Sequence, residues 1–127
     1  MQKTSSSKPK IIYAEDQESI ARLVEFKLSK EGYDIILLKS GENVVEKVLE
    51  LKPVLVLLDL MLPVKDGMII LEELKSNPQV KNIPVIILSI QGEEQKILQA
   101  LKSGAVDYIQ KPFSTAELSL RISKALA

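Results

Sequence analysis

The sequence predicts an α/β chain built on one parallel sheet, and three observations lead there. Short runs rich in Ile, Val and Leu recur along the chain, each of strand length. Between them lie stretches whose apolar residues return at helical spacing. The two kinds alternate strictly, and strand–helix alternation makes neighbouring strands parallel, with helices on both faces of the sheet.

In chain order, Lys10–Ala14 is the first strand. Ile20, Leu23, Val24 and Leu28 then share one helical face, which Gly32 ends. The second strand is Asp34–Leu38, followed by a face of Val44, Val45, Val48 and Leu49 with its exit at Pro53. Val54–Leu58, the third strand, is uniformly apolar, as suits a central parallel strand covered on both sides. Leu71 and Leu74 mark a third helix that stops before Asn77-Pro78. Pro84–Leu88 is the fourth strand, and Ile97, Leu98 and Leu101 form the face of a helix ending at Gly104. Val106–Gln110 is the fifth strand. The last helix opens on the capping box Ser114-x-x-Glu117 and continues through Leu118, Ile122 and Ala125. The apolar stripes are assigned to the core. Right-handed crossovers leave few topologies for five such units, and of these the flavodoxin-like doubly wound sheet of order 2-1-3-4-5 with five helices is expected. Residues 1–9, within the polar opening MQKTSSSKPK, are expected to form a flexible tail, leaving 10–127 as one domain.

Composition narrows the function. Seventeen basic and seventeen acidic residues cancel, so no charge excess points to nucleic acid or an anionic membrane as partner. There is no cysteine and no histidine, which excludes disulfides, thiolate nucleophiles, imidazole acid–base catalysis and zinc sites of the usual kind. No apolar run has the length of a membrane span and no signal-peptide core is present, so a cytoplasmic protein is expected.

The informative residues are polar ones at strand ends. Glu15 and Asp16 come directly after the first strand, Asp59 after the third, Ser89 after the fourth and Lys111 after the fifth. Each alone has an ordinary explanation as a cap, a turn residue or a solvated charge. Together they fall on the carboxyl edge of the sheet, where doubly wound folds bind ligands at the switch in strand order. Three clustered carboxylates repel unless a cation compensates them. An all-oxygen set without His or Cys favours Mg2+ or Ca2+. A lysine and a hydroxyl nearby would hold phosphoryl oxygens, and aspartate is itself able to accept a phosphoryl group. Asp59, central in the sheet, is the natural acceptor.

The segments IIYAED, LLDLMLPVKDG, IILSI and DYIQKPF, in this order and spacing, resemble the receiver domain of bacterial two-component response regulators, and the likeness extends over residues 10–126. The resemblance implies that Asp59 takes a phosphoryl group from a histidine kinase or histidine phosphotransfer protein. It implies Mg2+ held by Glu15, Asp16, Asp59 and the backbone carbonyl of Met61, with Lys111 on the phosphoryl group. Ser89 would move in to bond that group and Tyr108 would turn inward after it, reshaping the surface of the last two helices and the strand between them. A downstream protein or a fused output domain would respond to that surface, with no direct nucleic-acid or membrane contact from this chain. Lys111-Pro112 is expected to be cis. Such a domain is a signalling switch rather than a turnover enzyme, promoting only its own phosphorylation and slow dephosphorylation.

Some positions differ from the family's commonest pattern. Glu15 stands where aspartate is frequent, and its longer arm suits contact with metal through water. Ile90 follows Ser89 where a small residue is usual, so its branches are expected to crowd Asp59. Glu117 and Arg121 resemble the dimer-forming pattern of DNA-binding regulators, but Ile97 and Ser103 replace the charges that pattern needs. Two alternatives stand beside this reading. A degenerate receiver would bind partners without phosphorylation, although every key group is present. A Mg-dependent aspartyl-phosphate phosphatase would need a second carboxylate two positions after its nucleophile, where this chain has Met61.

Overall fold

The computed structural model describes residues 8–127. Most of the expected tail thus lies outside the described residues. The elements are β1 (Lys10–Ala14), α1 (Glu18–Lys30), β2 (Asp34–Leu38), α2 (Val44–Leu51), β3 (Leu55–Asp59), α3 (Gly67–Ser76), β4 (Val85–Ile90), α4 (Glu94–Lys102), β5 (Asp107–Lys111) and α5 (Thr115–Leu126). The strands form one parallel sheet of order β2-β1-β3-β4-β5, the expected doubly wound arrangement.

The alternation of β3 divides the core. Leu55 and Leu57 face a cluster that includes Tyr13, Ile86, Leu88 and Ile109, covered by Ala21, Val24 and Leu28 of α1 and Leu118 and Ile122 of α5. Val56 and Leu58 face the opposite cluster, covered by Val44 and Val48 of α2, Ile70, Leu71 and Leu74 of α3, and Ala100 of α4. All four β3 residues are fully buried, each contributing about 1.5–3 kcal/mol by leaving water. The site is therefore mounted on a fully buried strand.

Helix ends follow local chemistry. Past α1, the Gly32 N–H donates to the Ser29 carbonyl and the Tyr33 N–H to the Leu28 carbonyl, a Schellman closure that Gly32 permits at φ +100. At α5, the Ser114 Oγ accepts from the Glu117 N–H at 3.0 Å. Only this half of the capping box forms in the expected way, because the Glu117 carboxylate turns to Arg121 instead.

Three strand boundaries are corrected. Asp59 and Lys111 are the last residues of β3 and β5, and Ser89 lies inside β4, rather than following those strands. The ladder extends further than hydrophobicity suggests: Asp59 pairs with Leu88, Ser89 with Gln110, and Ile90 with Lys111. Backbone hydrogen bonding does not stop where the apolar side chains do.

Two helix faces also differ. Leu23 is exposed, with Ala21, Val24 and Leu28 buried in α1, and in α4 Leu98 and Leu101 are exposed while Ile97 and Ala100 turn inward. Two overlapping stripes of similar spacing were available in each helix. In each helix an alanine, Ala21 or Ala100, takes one of the buried places.

Candidate functional site

The site occupies the carboxyl edge of β1, β3, β4 and β5. Asp59, only 4% exposed, is held through both oxygens. Its Oδ1 accepts from the Met61 N–H at 2.9 Å, and its Oδ2 accepts from Lys111 Nζ at 2.8 Å. Lys111 also donates to the Glu15 Oε2 at 2.9 Å and to the Gln17 Oε1 at 3.0 Å, and its ammonium lies 2.8 Å from the Glu15 Oε1 as an ion pair. Glu15 takes two further bonds, from the Tyr13 hydroxyl at 3.2 Å to Oε1 and from the Gln17 N–H at 3.2 Å to Oε2. The Lys111–Pro112 peptide is cis.

Electrostatics follow from this crowding. Burial pushes the Glu15 carboxyl above its ordinary pKa, the hydrogen bond from Lys111 pulls it back, and the Asp59 charge raises it again; the net shift is upward. For Lys111, burial acts to lower the pKa, but its hydrogen bonds to Asp59 and Glu15 and their charges together outweigh it and hold the ammonium form. Burial, with Glu15 close by, raises the Tyr13 phenol, so it stays a donor.

Carboxylate oxygens of Glu15, Asp16 and Asp59 lie within 4.8 Å of one another, close enough to ligate one cation. Asp16 is exposed while the other two are buried. An all-oxygen set with a half-open cleft is the donor chemistry of Mg2+, which keeps several of its waters. The Ser89 hydroxyl, 1% exposed, has no hydrogen-bond partner among the described residues. Such an orphaned buried group suits a site that gains an anionic oxygen. These residues fit a divalent metal and a phosphoryl group.

The cleft over Asp59, about 240 Å3, is lined by Asp16, Gln17, Asp59, Met61, Ile90 and Lys111. Ile90 is half-exposed there, its N–H donating to the Glu93 carboxylate. The loop from Asp59 to α3 is tightly folded. The Gly67 N–H donates to the Leu60 carbonyl at 3.1 Å, and a Cβ at Gly67 would overlap the Asp59 carbonyl oxygen. The Asp66-Gly67 turn thus needs glycine for close approach. Within the loop, the Lys65 N–H bonds back to the Pro63 carbonyl around Val64, which sits at φ +72.

Thus Glu15, Asp16, Asp59, Ser89 and Lys111 are brought to one edge as the sequence suggests. Tyr108, on β5, remains partly exposed on the outer surface. Arg121 bonds within its own chain to Asp107 at 2.9 Å and to Glu117 at 3.3 Å. Sequence reasoning missed Tyr13 and Gln17. Tyr13 had a signal: it is the one aromatic residue in an aliphatic strand, two positions before Glu15 and so on the same side. Gln17 had none.

A doubly wound parallel sheet whose carboxyl edge gathers three carboxylates, a lysine and a buried hydroxyl defines a signalling module of the two-component class. The chain belongs to the response regulator receiver domain family, whose sequence profile matches residues 11–123. It is 36% identical over 118 residues to the phosphate regulon transcriptional regulatory protein PhoB of Rhizobium meliloti, covering 93% of this chain and 52% of that protein. The chain therefore spans about half the length of this relative. Among solved structures, a putative response regulator from Chloroflexus aurantiacus superposes with a TM-score of 0.88 at 28% identity, covering 94% of this chain and 98% of that one. The receiver domain of NtrX from Brucella abortus gives 0.84 at 31% identity, covering 91% and 97%. The BeF3-activated receiver domain of Klebsiella pneumoniae RstA gives 0.84 at 32% identity, covering 92% and 97%. No helix among the described residues is long and apolar enough to cross a membrane.

Proposed function

We propose that this domain is a phosphoacceptor switch that receives a phosphoryl group on Asp59 from a histidine kinase or histidine phosphotransfer protein. The observation that carries this reading is the holding of Asp59 at the mouth of a cleft, between the Met61 N–H on one oxygen and the Lys111 ammonium on the other. In the transfer, an Asp59 carboxylate oxygen bonds to phosphorus as the phosphorus–nitrogen bond of the donor breaks and its electron pair returns to the imidazole. Lys111 stays protonated and follows the negative charge onto the phosphoryl oxygens. The Ser89 hydroxyl donates to one of them and loses its orphan status. Glu15, Asp16, Asp59 and the Met61 carbonyl would hold Mg2+, which would supply neutralisation of phosphoryl charge.

Ser89 and Tyr108 then form the output path. Movement of Ser89 toward the site vacates space behind it, Tyr108 turns inward, and the outer surface of α4, β5 and α5 changes for a downstream protein or an output domain. A cytoplasmic setting fits this partner set.

Incubation with acetyl phosphate or a phosphohistidine donor and Mg2+ tests the reading. One phosphoryl group per chain is expected by intact mass, absent in Asp59→Asn. Full labelling of that variant would overturn the assignment.

A further inference from the structure

We propose that Tyr13 is a positioning residue that holds the Glu15 carboxylate in place once Lys111 has turned to the phosphoryl group. The proposal rests on the phosphoacceptor reading above. It starts from how donors are shared at Glu15. The Glu15 side chain is fully buried, so each of its oxygens needs a donor from the protein. Oε2 has two, the Lys111 ammonium and the Gln17 N–H. Oε1 has one, the Tyr13 hydroxyl, and lies 2.8 Å from the Lys111 ammonium as its ion-pair partner.

Lys111 cannot serve every acceptor at once. An ammonium has three protons, and this one already faces Glu15, Asp59 and Gln17. New anionic oxygens on Asp59 draw it away from Glu15. Oε2 then keeps the Gln17 N–H, and Oε1 keeps only Tyr13. Without that hydroxyl, Oε1 is left buried and bare, and the carboxylate rotates to find another donor. Glu15 then leaves the orientation that it shares with Asp16 and Asp59.

Tyr13 is well placed for this task. It is completely buried in the core beneath α1 and α5, its ring fixed by packing, so the hydroxyl has no second position to occupy. A glutamate at position 15 is what makes the contact reachable, since an aspartate is one methylene shorter. Tyr13 and Glu15 thus act as a pair.

The test uses beryllofluoride as a phosphoryl mimic and calorimetric titration of Mg2+, on wild type, Tyr13→Phe, Glu15→Asp and the double variant. In Tyr13→Phe the Mg2+ needed for half-saturation should rise about tenfold with beryllofluoride present, the low end for a hydrogen bond to a charged group. Without beryllofluoride it should change by less than about twofold, because the Lys111 charge still lies against Oε1. In the Glu15→Asp background the Tyr13→Phe change should have no further effect, the coupling expected of a direct pair. Thermal midpoints of the metal-free variants check that folding is kept. Equal weakening with and without beryllofluoride would mean a general structural role and would overturn the proposal. So would unchanged affinity, or an undiminished effect in the Glu15→Asp background. Failure of the wild type itself to bind beryllofluoride would overturn the phosphoacceptor reading, and the proposal with it.

Discussion

Truncating Ile90 should shorten the life of the phosphorylated domain. Ile90 ends β4 beside Ser89, is 49% exposed, and forms one wall of the cleft over Asp59. Hydrolysis requires a water in line with the acyl phosphate. At about 30 Å3 per water, a cleft of about 240 Å3 has room for several, so space alone does not limit the reaction. What limits it is whether a water can stand at the right angle, and a branched side chain at the rim removes part of that approach. Ile90→Ala takes away three carbons while leaving the backbone N–H that bonds Glu93. A tenfold gain in rate corresponds to about 1.4 kcal/mol of barrier, within reach of one displaced methyl group. The stability cost should be about 1 kcal/mol, below the 2–5 kcal/mol typical of buried Ile→Ala changes, because half of the side chain is already in water. The assay is to phosphorylate the protein, remove the donor, and follow loss of the phosphoryl group at fixed Mg2+. Decay should be about tenfold faster in the variant. An unchanged or slower rate would show that Ile90 never meets the attacking water, and the steric argument would fail.

Two further outcomes are expected. Asp16→Asn should weaken Mg2+ binding more than Glu15→Gln does, since the shorter, exposed Asp16 is suited to direct ligation and Glu15 to contact through water; equal titration curves would contradict this. Glu15 also gives a pH dependence to metal-free folding. Its folded pKa lies above its unfolded value, so as pH rises the unfolded chain loses the proton first and stability falls until the folded carboxyl has ionised too. Urea titrations from acid to neutral pH should therefore show wild type losing stability relative to Glu15→Gln as pH rises, and a flat or opposite difference would refute the assignment.

The architecture was legible because it depends on local signals. Strict alternation and a uniformly apolar Val54–Leu58 run point to a parallel sheet, right-handed crossovers leave few strand orders of which the flavodoxin-like one is observed, and the carboxyl-edge rule gathers Glu15, Asp16, Asp59, Ser89 and Lys111 from across the sequence. What escaped depends on packing or on long-range contact. Leu98 and Leu101 have the hydrophobicity of core residues, yet α4 is turned so that Ile97 and Ala100 are its buried residues. The bond of Lys111 to Glu15 joins residues 96 positions apart, and the recruitment of Gln17 into the same group leaves no trace in any local pattern. The extra ladder pairs that carry Asp59 and Lys111 into their strands are set by backbone partners, which side-chain periodicity does not report.

The separation of the interior by the sheet has a consequence for engineering. Leu57 and Leu58 are adjacent in the chain, yet they belong to different compartments, one closed by α1 and α5 and the other by α2, α3 and α4. A change of volume at Leu57 must be absorbed by residues such as Val24 or Ile122, whereas one at Leu58 falls to residues such as Leu71 or Val48. Sites in the two compartments that lie more than about 7–10 Å apart and share no partners usually combine additively. Libraries that repack each compartment could then be selected separately and joined afterwards, with Asp59 left untouched at the end of the strand that both compartments share.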